Sequence, residues 1–152
     1  MTMRIRKLEK SDIDSVARIV AETELWQKYG LNFKKARVRF EKGLQRGADI
    51  YIAEIENEIV GFIWYVPDGA FDRSGYIELI GVGKNFRGKG VGQKLMKFVE
   101  NLFSPESIFL LVSDFNEKAQ KFYSHLGYKK VGEIEDYVVE GITEFIFYKK
   151  VR

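Results

Sequence analysis

Apolar positions fall into blocks whose period changes along the chain. From Arg4 to Glu9, Ile5 and Leu8 alternate with charges, which predicts a short first strand. Ser11 and Asp12 supply N-cap chemistry for a helix whose apolar side carries Ile13, Val16, Ala17, Ile19 and Val20. A second helix is predicted over Phe33 to Arg46, stopped by Gly47. Two β-rich runs, 50–55 and 59–66, flank Glu56-Asn57-Glu58 and read as a hairpin.

The middle of the chain changes character. Residues 76–82 (YIELIGV) are almost continuously apolar, as in a strand covered on both faces. They run into GKNFRGKGVG and a helix in which Val91, Leu95, Phe98, Val99 and Leu102 recur at helical spacing, with Lys94, Lys97 and Asn101 opposite. Ser104-Pro105 ends that helix, and 108–112 (IFLLV) is a second buried strand. Strand, helix and strand of these lengths form a βαβ unit with parallel strands. Residues 116–126 predict a short helix stopped at Gly127, and strands over 128–139 and 142–151 meet at Glu140-Gly141. There are only two prolines, and no linker or repeat interrupts the pattern. The expectation is one mixed α/β domain over residues 1–152. Its sheet is antiparallel in front and parallel at a central βαβ unit, with helices on both faces.

Composition narrows the chemistry. The chain has 152 residues, enough for a core without metals or disulfides, and 45% of them are hydrophobic against 31% charged. Its 25 Lys+Arg against 22 Asp+Glu leave +3 with no long basic run, so charge does not favour nucleic acid as a partner. Cysteine is absent, which excludes disulfides, Cys-ligated metals and an acyl-cysteine intermediate. The lone histidine, His125, argues against multi-His metal sites and a Ser-His-Asp triad, and reads as a surface residue. No metal is expected. The opening MTMRIRKLEK lacks a signal-peptide core and no run approaches a membrane span, so a soluble, cytoplasmic protein with no membrane partner is expected.

Candidate chemistry concentrates at Gly81–Gly92. There a buried strand ends, glycines allow close backbone approach, and a helix N-terminus begins beside Arg87, Lys89 and Lys84. That combination predicts an anion site, typically for phosphate. The alternative is a turn whose glycines only relieve sterics. Gly83 to Lys89 begins like a Walker A loop, but Gly90 stands where the magnesium-binding Ser/Thr belongs, and a Rossmann G-x-G-x-x-G also fails. Glu78 is a second candidate. A carboxylate between Ile77 and Leu79 in a buried strand would be desolvated and raised toward a useful base, or would simply pair with a neighbouring lysine or arginine. Alternation puts it on one face with Tyr76, Ile80 and Val82.

Val82, four residues, then Arg87-x-x-Gly90-x-Gly92 and an amphipathic helix resembles the acetyl-CoA signature of the GNAT superfamily of N-acetyltransferases. Asn116-Glu-Lys-Ala119-Gln-Lys-Phe122-Tyr123-Ser-His-Leu-Gly127-Tyr128 resembles that family's second motif, and the order of elements fits from residue 3 onward. The resemblance implies that the loop Arg87, Gly88, Lys89, Gly90, Val91 and Gly92 receives the CoA pyrophosphate. It implies that the backbone of Ile80, Gly81 and Val82 pairs with the pantetheine arm and polarises the thioester carbonyl. Asn116 would contact the CoA arm, although an asparagine there also suits a helix cap. Tyr123 would protonate the leaving thiolate, the alternative being that it only packs.

The implied activity is direct transfer of acetyl from acetyl-CoA to a primary amine, a small molecule or a protein amine. The missing cysteine agrees with the absence of a covalent intermediate. By the same resemblance Trp26, Tyr29, Phe33, Asp68, Asp72, Glu133, Glu135 and Asp136 border the acceptor groove, whose carboxylates would suit a cationic amine. A catalytically silent acyl-CoA-binding regulatory module is the alternative from another class, and a nucleotide-binding loop a third. Whether the chain forms a homodimer is open.

Overall fold

A computed structural model describes residues 2–152, so the first residue of the expected 1–152 domain lies outside the described residues. Strands are β1 (Met3–Lys7), β2 (Asp49–Ile55), β3 (Glu58–Ala70), β4 (Ser74–Val82), β5 (Ser107–Ser113), β6 (Lys129–Ile134) and β7 (Glu144–Lys150). Helices are α1 (Ile13–Ala21), α2 (Glu24–Gln27), α3 (Phe33–Gln45), α4 (Val91–Phe103) and α5 (Glu117–His125). The strands form one seven-stranded sheet in the order β1-β2-β3-β4-β5-β7-β6. β1 with β2 and β2 with β3 are antiparallel, β4 with β5 is parallel, and β7 pairs antiparallel with both β5 and β6. This is the mixed α/β sheet with a parallel centre that the hydrophobic pattern predicts. No helix among the described residues is long and apolar enough to cross a membrane.

Local chemistry sets the turns. Glu56 and Asn57 both have positive φ, 51° and 65°, the conformation of a tight primed hairpin turn whose twist matches its strands. β3 runs beyond the predicted end at Val66, through Pro67. The β2–β3 register ends at Asp49↔Tyr65, so a residue without an N–H is tolerated past that point. The final hairpin is shorter than its apolar pattern suggests. Asp136, at φ 54°, accepts the Gly141 N–H at 2.6 Å through Oδ1 and turns the chain early, leaving Tyr137 and Val138 exposed. α2 escapes prediction because one turn has no periodicity to read.

The chain divides into two compact units, one ending at Tyr65 and resuming over Glu78–Val99, the other made of Val66–Ile77 and Glu100–Arg152. In the first, Ile13, Val16, Ala17, Ile19 and Val20 of α1 are all buried as predicted, with Ala36, Phe40, Ile50, Ile52 and Phe62. The Phe40 and Phe62 rings meet edge to face at 5.2 Å. Asp12 does not cap α1. Its carboxylate turns back to accept the Glu9 N–H at 2.7 Å and two Arg6 N–H bonds at 2.8 and 3.0 Å. Burial alone would raise the Asp12 pKa, but those hydrogen bonds and the Arg6 charge outweigh it and hold the carboxyl below its usual range.

In the second unit, Ile108, Leu110 and Val112 of β5 are buried, as are Tyr123, Tyr128 and Phe147. Glu100 anchors this unit's polar interior. It accepts the Tyr128 hydroxyl at 2.8 Å and the Lys149 ammonium at 3.1 Å.

Candidate active site

The glycine-rich turn lies in the first unit. The Gly83 N–H bonds the Val60 carbonyl at 2.8 Å, a 3-10 turn covers Lys84–Phe86, and α4 starts at Val91. Gly88 and Gly90 hold φ of 76° and 83°, and a Cβ built on either meets nothing within 4 Å. Glycine is needed at both for backbone conformation, not for space. These residues turn the chain into α4, whose first intrahelical bond runs from the Lys94 N–H to the Gly90 carbonyl at 3.1 Å. The N–H groups of Val91, Gly92 and Gln93 precede that bond and have no helical acceptor of their own. With exposed Arg87 and Lys89 alongside, the loop fits a diphosphate.

Gly81 is a different case. A Cβ there would sit 2.6 Å from Phe62 Cε1 and 2.9 Å from Trp26 Cη2. The steric reading of the glycines therefore applies to Gly81, and the conformational one to Gly88 and Gly90. Arg87 folds back on its own loop, its Nε donating to the Val82 carbonyl and its Nη2 to Thr23 Oγ1, both at 3.3 Å. Lys89 lies 5.6 Å from the Phe86 ring centre. A depression of about 510 Å³ beside the 3-10 turn, lined by Arg18, Glu22, Glu58, Lys84 and Asn85 among others, contains none of Arg87–Gly92. Its mixed charge does not suit a phosphate.

β4 carries Glu78, and here one sequence expectation is corrected. The side chain is not desolvated: it remains 32% exposed and its Oε2 pairs with Arg39 Nη2 at 3.2 Å. The bland alternative of an arginine partner is what the structure shows. Leu79 packs on the core, and Gly81 faces Phe62. The parallel register of β4 with β5 comprises Gly75↔Ile108, Tyr76↔Phe109 and Ile77↔Leu110, while β4 continues to Val82. The backbone of Ile80, Gly81 and Val82 thus lies beyond that ladder.

In the second unit, Asn116 caps α5, its Oδ1 accepting the Ala119 N–H at 3.2 Å. Two turns on, Tyr123 is buried, its ring centre 5.0 Å from Phe122, 6.0 Å from Tyr128 and 6.4 Å from Phe147. Burial pushes its phenol well above the usual value, so it stays protonated across the physiological range. Its hydroxyl makes no hydrogen bond among the described residues, yet no buried polar side-chain atom there lacks a partner. The Tyr123 oxygen must therefore reach solvent. His125 is exposed, as read from the sequence.

At least four of the eight residues expected at an acceptor groove are engaged elsewhere. Trp26 covers Gly81, Arg18 lies 5.9 Å over the Phe33 ring, Glu133 holds Lys130 at 3.0 Å, and Asp136 makes its turn. Sequence reasoning missed Arg39 and Thr23, because nothing in a helix pattern identifies which distant residue a side chain will meet. Among the described residues no group of three or more His, Cys, Asp or Glu could hold a metal ion.

Fold and motif together define an acyl-transfer class: the chain belongs to the acetyltransferase (GNAT) family, whose model matches residues 14–128. An N-alpha-acetyltransferase of Sulfurisphaera tokodaii is 25% identical over 94% of this chain and 90% of its own length. A GNAT-family crystal structure from Desulfovibrio desulfuricans matches with a TM-score of 0.85, covering 99% of this chain and 100% of that one at 18% identity. An aminoglycoside 6'-N-acetyltransferase solved with coenzyme A matches with a TM-score of 0.80, covering 98% and 97% at 17% identity.

Proposed function

We propose that this chain transfers acetyl from acetyl-CoA directly to a primary amine, with an α-amino group as the favoured acceptor. The single observation that carries a catalytic over a silent reading is Tyr123, a protonated phenol in a packed aromatic setting whose hydroxyl has no hydrogen-bond partner among the described residues. A tyrosine that only packed would gain nothing from that oxygen. The α-amino preference follows the Sulfurisphaera tokodaii N-alpha-acetyltransferase.

The roles divide along the chain. Main-chain N–H groups of Arg87–Gly92 with the α4 N-terminus hold the donor's diphosphate, and the carboxamide of Asn116 contacts its arm. The β4 backbone at Ile80, Gly81 and Val82 pairs with that arm, and one N–H there polarises the thioester carbonyl. The acceptor ammonium docks at Glu78 and gives up its proton to that carboxylate or through it to water. The freed nitrogen lone pair forms the C–N bond, the electrons of the C–S bond leave on sulfur, and the nitrogen sheds its second proton to solvent to become the neutral amide. Tyr123 gives its proton to that thiolate and regains one from solvent.

Tyr123→Phe tests this. Turnover is expected to fall about 100-fold with the KM for acetyl-CoA and the melting temperature nearly unchanged. Unchanged turnover would remove the acid role. Thermal unfolding tests the donor: at a hundredfold its Kd, acetyl-CoA should stabilise the chain by about 2.7 kcal/mol, and a response to ATP-magnesium alone would sink the reading.

A further inference from the structure

The Arg39–Glu78 pair is poorly explained as structure. Its atoms approach to 3.2 Å, Nη2 to Oε2, between side chains 39% and 32% exposed. Arg39 also lies 5.9 Å from the Trp64 ring centre, and Trp64 packs at 5.8 Å on Phe40 of the core. That contact uses none of the guanidinium's N–H groups. Among the described residues Arg39 has no partner besides Glu78 and Trp64, and Glu78 none besides Arg39, so N–H donors and carboxylate lone pairs remain available. Glu78 stands three residues before Gly81 on β4, about 10 Å along an extended strand. Arginine and glutamate side chains both reach over part of that distance.

A held guanidinium with spare donors beside a carboxylate with a spare oxygen is complementary to a ligand carrying both charges. We infer that Arg39 and Glu78 together read the acceptor, Glu78 taking its ammonium and Arg39 a carboxylate placed a few bonds away. This rests on the acetyl-transfer reading and narrows its acceptor to amines with a nearby carboxylate. Two sources share that chemistry: the α-carboxylate of a free amino acid, and the acidic side chain of a peptide's first residue. The fork of Arg39 favours a carboxylate because two N–H groups can meet its two oxygens.

Two matched pairs separate the sources: alanine against alaninamide, and the peptide amides Glu-Ala against Gln-Ala. The carboxylate member of at least one pair should be favoured about five- to tenfold in kcat/KM. Arg39→Gln should abolish that preference, and Arg39→Lys, which keeps the charge but not the fork, should weaken it. A merely structural pair would leave the preference unchanged in both variants. Ligand-observed NMR of the same acceptors with CoA present reads the discrimination without turnover. Equal binding within both pairs, or a preference that Arg39→Gln leaves intact, overturns the inference. Discriminating binding that Arg39→Gln abolishes, with no thiol released from acetyl-CoA, supports this assignment and counts against acetyl transfer alone.

Discussion

Arg6 meets Asp12 through two hydrogen bonds, at 2.8 and 3.0 Å, and reaches Glu54 Oε1 with Nε at 3.3 Å, whereas Arg39 lies 3.2 Å from Glu78 at the half-exposed surface and 5.9 Å from a tryptophan ring centre. The Asp12 side chain is 7% exposed against 32% for Glu78. The first cluster spends every nitrogen of its guanidinium on carboxylates from two elements and buries one of them. The second leaves donors and an acceptor open to whatever enters. Identical residue types thus make a structural clamp in one place and an unfinished recognition surface in the other, and hydrogen-bond saturation tells them apart.

Breaking the clamp gives the largest expected effect on stability. Asp12→Ala removes two charge-assisted bonds from Arg6, leaving it Glu54 and the Lys7 carbonyl, and removes the Glu9 N–H acceptor, which should cost about 2–3 kcal/mol. At about 2–4 °C per kcal/mol for a chain of this size, the melting temperature should drop by several degrees. Acid should act on the same bond. The folded pKa of Asp12 is depressed, so its contribution is fully present above the unfolded value and is lost as pH falls through the folded one. The stability gap between wild type and Asp12→Asn, followed by urea unfolding, should therefore be constant at neutral pH and close below about pH 4.

The glycines sharpen the same contrast between structure and site. Gly81→Ala pushes a methyl into Phe62, a fully buried ring already wedged against Phe40, and should destabilise by about 2 kcal/mol. Gly90→Ala meets open space and only forces a left-handed backbone, so about 1 kcal/mol is expected. Its larger consequence should be a raised KM for acetyl-CoA, since the loop's N–H groups are re-aimed. Calorimetry and donor titration on both variants check the crossover. A KM for acetyl-CoA left unchanged by Gly90→Ala would mean that the turn has no special part in binding.

The sequence showed where these features lie better than how they work. The periods of α1 and α4, the Glu56-Asn57 turn and the parallel centre were readable because each depends on neighbours close in the chain. Motif spacing marked Gly81–Gly92, Asn116 and Tyr123, but it could not separate Gly81 from Gly90. That difference is made by Phe62 and Trp26, which arrive from other elements. Glu78 was legible as an odd carboxylate in an apolar strand, while its exposure and its partner were not. Arg39 lies on a helix 39 residues earlier whose own pattern marks it only as a polar position.

The smallest expected effect is the one that most directly separates the two arginines. A half-exposed ion pair gains little from Coulomb attraction in water and loses side-chain freedom, so Arg39→Gln and Glu78→Gln should each change stability by less than about 1 kcal/mol. The two charges should also be nearly independent for folding. A double-mutant cycle with Arg39→Gln and Glu78→Gln should give a coupling energy under about 0.5 kcal/mol in thermal or urea unfolding. The corresponding Arg6–Asp12 cycle should give several times more, because that pair shares two short charge-assisted bonds and its carboxylate is buried. Coupling of about 2 kcal/mol between Arg39 and Glu78 would make that pair a second clamp, and its spare donors would then be a consequence of geometry instead of a surface kept for the acceptor.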